Sequence, residues 1–372
     1  MNKDMDKNMK NMKSTIYFDR NPVISSFASV ASKKEAEGSL ANFFDHIEMD
    51  PYFKKETWEQ AESEIQRIAV TKALEKANIQ SNAVNFIFAG DLVNQCVCST
   101  YALRDFNIPF LGIYGACSTM AEGMLLAASM VNAGYGERAT AVTSSHFSSA
   151  ERQYRNPLSY GGQRTQSAQW TVTGGGAVII EQNTEQSQEQ LEQKTEKKII
   201  VKSATVGRIV DYAVTDSSNM GAAMAPAAAD TILRFFKDTN MKVTDLDYIV
   251  TGDLGYVGSE LLLNILRQDD MDISFQHRDC GVMIYKKDEQ DTHSGGSGCG
   301  CSASVLSAYF LPRIKSGEIK NMLFCGTGAL MSPMLSFQGE SIPGIAHAVL
   351  LSQQVDSVKL MLRGASAGVF AR

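Results

Sequence analysis

An α/β fold made of two related halves is what this chain of 372 residues predicts. Apolar, β-like runs alternate with stretches of helical periodicity, the pattern of a layered helix–sheet protein. The alternation runs through both halves, and short words of the first half return in the second in the same order. Phe88-Ala89-Gly90-Asp91-Leu92 returns as Val250-Thr251-Gly252-Asp253-Leu254, and Cys117-Ser118 after a glycine turn returns as Cys301-Ser302 after Gly300. Spacing agrees as well: Cys117 to Thr143 is 26 residues and Cys301 to Gly326 is 25. Two such units would meet about a pseudo-twofold, with both Cys-Ser turns facing one central site.

The first half, 15–181, predicts strands at 22–28, 84–89, 110–114, 139–144 and 177–181 from their apolar runs. Helices are predicted at 56–77, 94–104 and 118–133. The last is the clearest, since Met120, Met124, Ala127, Ala128 and Val131 recur on one face. The second half, 199–351, predicts strands at 199–207, 248–251, 281–285, 322–326 and 346–351, with helices at 227–238, 259–267 and 302–315. Parallel-rich sheets need both faces covered, so helices are expected on each side. Between the halves, 182–198 is rich in Gln, Glu and Lys and reads as a solvated excursion. The ends, 1–14 and 352–372, read as flexible, and the second carries a short basic, apolar stretch around Leu360 and Arg363.

With 44% hydrophobic and 20% charged residues, the composition is that of a soluble globular protein. A net charge of −6 and no long basic stripe argue against nucleic acid as a partner. No apolar stretch approaches the roughly 18 residues of a membrane span, and residues 1–13 lack the apolar middle of a signal peptide. Seven cysteines without a framework spacing suit a reducing cytosol. Cys96-x-Cys98 and Cys299-x-Cys301 are spaced too tightly for a zinc knuckle and lack matched histidines, so no metal site and no cofactor is expected.

The chemistry centres on Cys117, where an apolar run reaches Gly115 and a helix follows. Free N–H groups at a helix start favour negative charge. Such a turn lowers a thiol's pKa and equally offers an anion site. Cys117 is thus a nucleophile or a docking point for a carboxylate. His146, after the strand 139–144, is placed to point into the same mouth. Arg152, Arg155 and Arg164 follow it, interleaved with Tyr154, Tyr160 and Trp170. The loop Gly295-Gly296-Ser297-Gly298-Cys299-Gly300-Cys301 lets backbone approach a ligand closely.

A glycine turn, an elbow cysteine and a second Gly-rich cysteine turn resemble the thiolase superfamily of condensing enzymes. Longer words narrow the likeness to the stage V sporulation protein AD family. They are Thr143-Ser144-Ser145-His146 with Ala150-Glu151-Arg152-Gln153-Tyr154-Arg155, Tyr160-Gly161-Gly162-Gln163, Met220-Gly221-Ala222-Ala223-Met224-Ala225-Pro226, the glycine loop above, and Ser341-Ile342-Pro343-Gly344-Ile345-Ala346-His347. The resemblance covers roughly 15–351. It implies a thiolase-like fold and direct binding of dipicolinic acid, with calcium as a possible counterion, in a complex that loads that compound into the spore. It implies a soluble subunit made in the cytoplasm and held on the spore inner membrane by integral membrane subunits, and by analogy a homodimer.

Catalysis of the thiolase type needs a base and an oxyanion donor beside the cysteine. Condensing enzymes of this fold often carry a histidine where this chain has Asp253, and thiolases a Gly-His-Pro turn where it has Gly298-Cys299-Gly300-Cys301. Only Cys325-Gly326-Thr327-Gly328 resembles the second, acid/base cysteine of thiolases. Binding is therefore the expected function, with Cys117, His146, Arg152, Arg155, Arg164, Cys299 and Cys301 as candidate ligand contacts. Arginine suits a planar dicarboxylate because its fork holds both oxygens. The alternatives are an acyl-CoA or acyl-carrier condensing enzyme using Cys117 with His146 or His293 as base, and a structural subunit with a vestigial pocket.

Overall fold

The computed structural model describes residues 13–154, 164–183 and 197–355. In chain order the strands are β1 (Thr15–Tyr17), β2 (Val23–Ser32), β3 (His46–Glu48), β4 (Phe86–Gly90), β5 (Phe110–Gly112), β6 (Arg138–Ser145), β7 (Trp170–Thr171) and β8 (Gly174–Glu181). Then come β9 (Lys197–Thr205), β10 (Tyr248–Thr251), β11 (His277–Asp279), β12 (Gly296–Ser297), β13 (Asn321–Ala329) and β14 (Gly344–Val355). The main sheet runs β11-β10-β13-β14-β9-β2-β8-β6-β4-β5, with β1 on β9 and β3 on β2, while β7 and β12 pair separately.

Pairing repeats on either side of the β2–β9 junction. β4 lies parallel to β5 and β6, β6 antiparallel to β8, and β8 antiparallel to β2. Likewise β10 lies parallel to β11 and β13, β13 antiparallel to β14, and β14 antiparallel to β9. The repeated words fall at equivalent places, Asp91 after β4 and Asp253 after β10.

Strand residues alternate between cores. Val178 and Ile180 of β8, Phe324 of β13 and Leu351 of β14 enter a central core with Met120 and Met124 of the helix Thr119–Ala133. Their neighbours Ala177 and Ile179 face Ile65 and Ala69 of the helix Trp58–Ala77. Leu323, Cys325 and Leu350 face Ile232 and Phe235 of the helix Met220–Thr239. Because both faces of each strand are buried, the sequence shows continuous apolar runs rather than a period of two.

Glycines let the central helices approach. A Cβ on Gly176 of β8 would stand 2.4 Å from the Ala303 carbonyl oxygen, and one on Gly326 of β13 would stand 2.7 Å from the Ala121 methyl. The helix Cys299–Val305, from the second half, thus packs on the first half's sheet, and the helix Thr119–Ala133 reaches β13 of the second.

Several elements differ from expectation. The predicted strand 281–285 is a short helix, Cys280–Ile284, whose start is capped by the Asp279 side chain accepting from the Val282 amide at 3.0 Å. The helix predicted at 227–238 begins at Met220, capped by Asn219 and continuing through Pro226. The helix predicted at 302–315 begins at Cys299 and carries a wider turn at Leu306–Phe310. β14 runs to Val355 and β9 begins at Lys197, because polar Gln353 and Gln354 pair through backbone with Ile199 and Lys198. No helix among the described residues is long and apolar enough to cross a membrane.

Candidate functional site

Cys117 lies in the tight turn Ala116–Ser118 that precedes the helix Thr119–Ala133. Ala116 takes a left-handed φ of 50°, a conformation L residues rarely hold. The Ser118 hydroxyl donates to the Gly115 carbonyl at 2.7 Å and the Thr119 hydroxyl to that of Ala116, fixing the elbow. One side of Cys117 opens on a cavity of about 350 Å³, a size that suits a small-molecule ligand.

Behind Cys117 stands Asp253, from the other half, its carboxylate near enough for the thiol and the acid to shift each other's ionisation. Asp253 Oδ2 also accepts from the Gly298 amide at 2.7 Å and the Ser297 hydroxyl at 3.3 Å, and Oδ1 accepts from the Thr327 hydroxyl at 2.8 Å. Burial pushes this carboxyl up to about 7, against the Gly298 amide, the Cys117 thiol and the Thr327 hydroxyl that hold it down. Burial likewise pushes the Cys117 thiol well above its ordinary value, and the negative charge of Asp253 adds to that. The helix start does not prevail: the expected lowering of this thiol's pKa is overturned by desolvation and a neighbouring acid. Both effects favour the protonated thiol over the thiolate.

The cavity walls come from both halves. Leu92, Ala150 and Tyr154 line one side, Met220, Met331 and Phe337 another, and Ser217, Ser218 and Ser297 supply hydroxyls. Tyr154 donates to the Leu92 carbonyl at 2.6 Å and meets the Tyr114 hydroxyl at 2.6 Å. Arg164 also lines the cavity; it donates to the Gln169 carbonyl and lies over the Trp170 ring at 4.9 Å. Phe147 stacks on Trp170 at 3.9 Å, so the guanidinium rests on a fixed aromatic platform. Gln169 donates through Nε2 to the carbonyls of Asp253 and Gly296, both at 2.7 Å, which leaves its buried Oε1 without a donor.

Of the residues singled out from sequence, Cys117 and Arg164 line this cavity. Arg155 lies outside the described residues. His146 is buried away from it: its Nε2 meets the Pro51 carbonyl at 2.8 Å and its ring packs on Trp58. Arg152 points outward and pairs with Glu59. Cys299 is buried with Leu92 and Ala150, its thiol donating to the Ser144 carbonyl at 2.9 Å. Cys301 is buried in the central core. Cys325 faces the outer core instead, and its near neighbour Thr327 is the residue that reaches Asp253. His293 bonds the Thr165 carbonyl at 2.7 Å and pairs with Asp291 at 2.8 Å. In the sequence Asp253 stands in a repeated word and at the place of a missing histidine, without a role of its own, and Gln169 carries no signal at all. The repeated Gly-Asp-Leu word was the available sign for Asp253.

Away from the cavity, Cys98 shares a buried cluster with Glu62 and Asp91. Ser149 donates to Glu62 at 2.5 Å, and the Ser99 amide and hydroxyl donate to Asp91 at 2.8 and 2.6 Å. Burial and the charge of Asp91 push Glu62 well up.

The profile of the stage V sporulation protein AD family matches residues 12–352. Stage V sporulation protein AD of Bacillus subtilis (strain 168) is 41% identical over 341 residues, 92% of this chain and 97% of that protein. The chain belongs to this family. Its role is therefore in sporulation. Among solved structures, the fold of this chain resembles that of OleA from Xanthomonas campestris, at a TM-score of 0.56 and 14% identity over 91% of this chain and 99% of that one. It also resembles 3-oxoacyl-(acyl-carrier-protein) synthase III from Aquifex aeolicus VF5, at a TM-score of 0.54 and 11% identity over 89% and 99%. At such identities the likeness is one of fold, which is thiolase-like.

Proposed function

We propose that this stage V sporulation protein AD family member is a non-catalytic binding protein for dipicolinic acid, or its calcium chelate, in the transport complex that loads it into the spore. The observation that carries this reading is the pairing of Cys117 with Asp253. A condensing enzyme needs a thiolate and a donor for a developing oxyanion; this site offers a thiol held by an acid whose ionised form repels an oxyanion. What surrounds the thiol suits a small, flat dicarboxylate: aromatic and apolar walls, a guanidinium at Arg164 and hydroxyls at Ser217 and Ser218. The protein is read as peripheral on the spore inner membrane, held there by integral subunits of the same complex. It is also read as a homodimer, since the edge strand β5 exposes Phe110 and Leu111, with Tyr114 beside them.

Calorimetric titration of the purified protein with dipicolinic acid, with and without calcium, tests the reading. Saturable binding is expected, weakened about 10- to 100-fold by Arg164→Ala, the worth of one charge-assisted contact to a carboxylate. Absence of binding, together with acylation of Cys117 by an acyl-CoA, would sink it in favour of the condensing enzyme.

A further inference from the structure

We infer that a carboxylate ligand enters this cavity together with a proton, and that Asp253 is the residue that takes the proton up. This rests on the reading above, that the cavity binds a small dicarboxylate.

Asp253 is buried directly behind the cavity wall, with the Cys117 thiol between them. The groups that face it come from every neighbouring element. The elbow contributes the Cys117 thiol, the helix Cys299–Val305 the thiols of Cys299 and Cys301, and the helix Cys280–Ile284 the thiol of Cys280. From β11 comes the Asp279 carboxylate, from β13 the Thr327 hydroxyl, and from the glycine loop the Ser297 hydroxyl and Gly298 amide. These are thiols, hydroxyls, an amide and a second acid; none brings a positive charge. A ligand carboxylate against Cys117 therefore lies on the other side of that residue from an ionised Asp253 whose charge none of these groups offsets. Protonation of Asp253 removes the repulsion and converts an acceptor into a donor. Gln169 points the same way: its buried Oε1, on the same wall, is an acceptor still lacking a donor.

In the free site this carboxyl titrates near 7, and a neighbouring anion drives it higher. The sign follows. At pH 6 Asp253 is mostly protonated before the ligand arrives, and little uptake occurs. At pH 8 the free site is mostly ionised and the complex protonated, so one ligand draws in close to one proton. Affinity then falls as pH rises through this window, by up to about tenfold per unit.

Titration calorimetry of the full-length protein with dipicolinic acid, at pH 6 and pH 8 in two buffers of different ionisation heat, reads the proton count directly. Uptake approaching one proton per ligand at pH 8 and about a tenth of that at pH 6 is expected. Asp253→Asn should abolish the uptake and flatten the pH dependence of affinity. If that variant fails to fold, the two-buffer comparison on the unaltered chain decides alone. Binding at pH 8 whose heat is the same in both buffers would overturn the proton coupling while leaving the binding reading intact. No binding at either pH would overturn the binding reading, and the coupling with it.

Discussion

Glu62 illustrates how one side chain's environment becomes a property of the whole protein. It is fully buried, beside Asp91 and Cys98, and burial together with the charge of Asp91 raises its pKa well above the ordinary 4.5. The unfolded chain releases this proton near the ordinary value, whereas the folded chain keeps it to much higher pH. Stability is therefore greatest below the unfolded pKa and declines as pH rises toward the folded one. Glu62→Gln, which keeps the shape and removes the titration, should raise the urea midpoint more at pH 8 than at pH 5. An equal shift at both values would show that Glu62 carries no such linkage. Asp253 is the same chemistry put beside a cavity rather than sealed beneath one. Asp91, beside Glu62, and Asp253 follow equivalent strands, β4 and β10, yet Asp91 is closed in by Ser99 whereas Asp253 faces Cys117.

Among elements, close helix-to-sheet contact across the halves is the feature that tolerates least change. A methyl on Gly176 would lie 2.4 Å from the Ala303 carbonyl, far inside contact distance. Gly176→Ala should cost about 3 kcal/mol or more in denaturant unfolding, as overpacking against backbone does. A cost below about 0.5 kcal/mol would mean that the two elements slide apart freely. Much of this layer was legible beforehand. The helix 118–133 showed its face through Met120, Met124 and Val131, and those residues are buried in the central core. The strand predicted at 281–285 went astray because Gly281-Val282-Met283-Ile284 is apolar without periodicity, and a cap from Asp279 settled it as a helix. Cys117 and Arg164, singled out because their types stand out in the sequence, both line the cavity. His146 was misplaced for the opposite reason: a strand end fixes where a residue sits, but the Pro51 carbonyl and Trp58, distant in sequence, decide which way its ring turns.

At the level of the whole molecule, the sheet ends on β5, whose three residues are all exposed. Such an edge, apolar and exposed, is where the proposed second copy of the chain would pair. The proposed homodimer predicts that the unaltered chain sediments as a dimer at micromolar concentration and that Leu111→Lys sediments as a monomer with unaltered far-ultraviolet dichroism. A sedimentation coefficient unchanged by the substitution would remove β5 from the interface. The duplicated halves also explain why neither one suffices for the site: Cys117 comes from the first, while Asp253, Ser297 and Gly298 come from the second.

That division gives the contact between thiol and carboxylate a use beyond chemistry. The S–H stretch absorbs in an infrared window that other protein groups leave empty, and it drops in frequency as its hydrogen bond strengthens. The chain holds seven free thiols, so the Cys117 band is isolated by difference from a Cys117→Ser variant, and it then reports how closely the halves are seated. Any small rocking of one against the other on filling the cavity would register as a shift of that band.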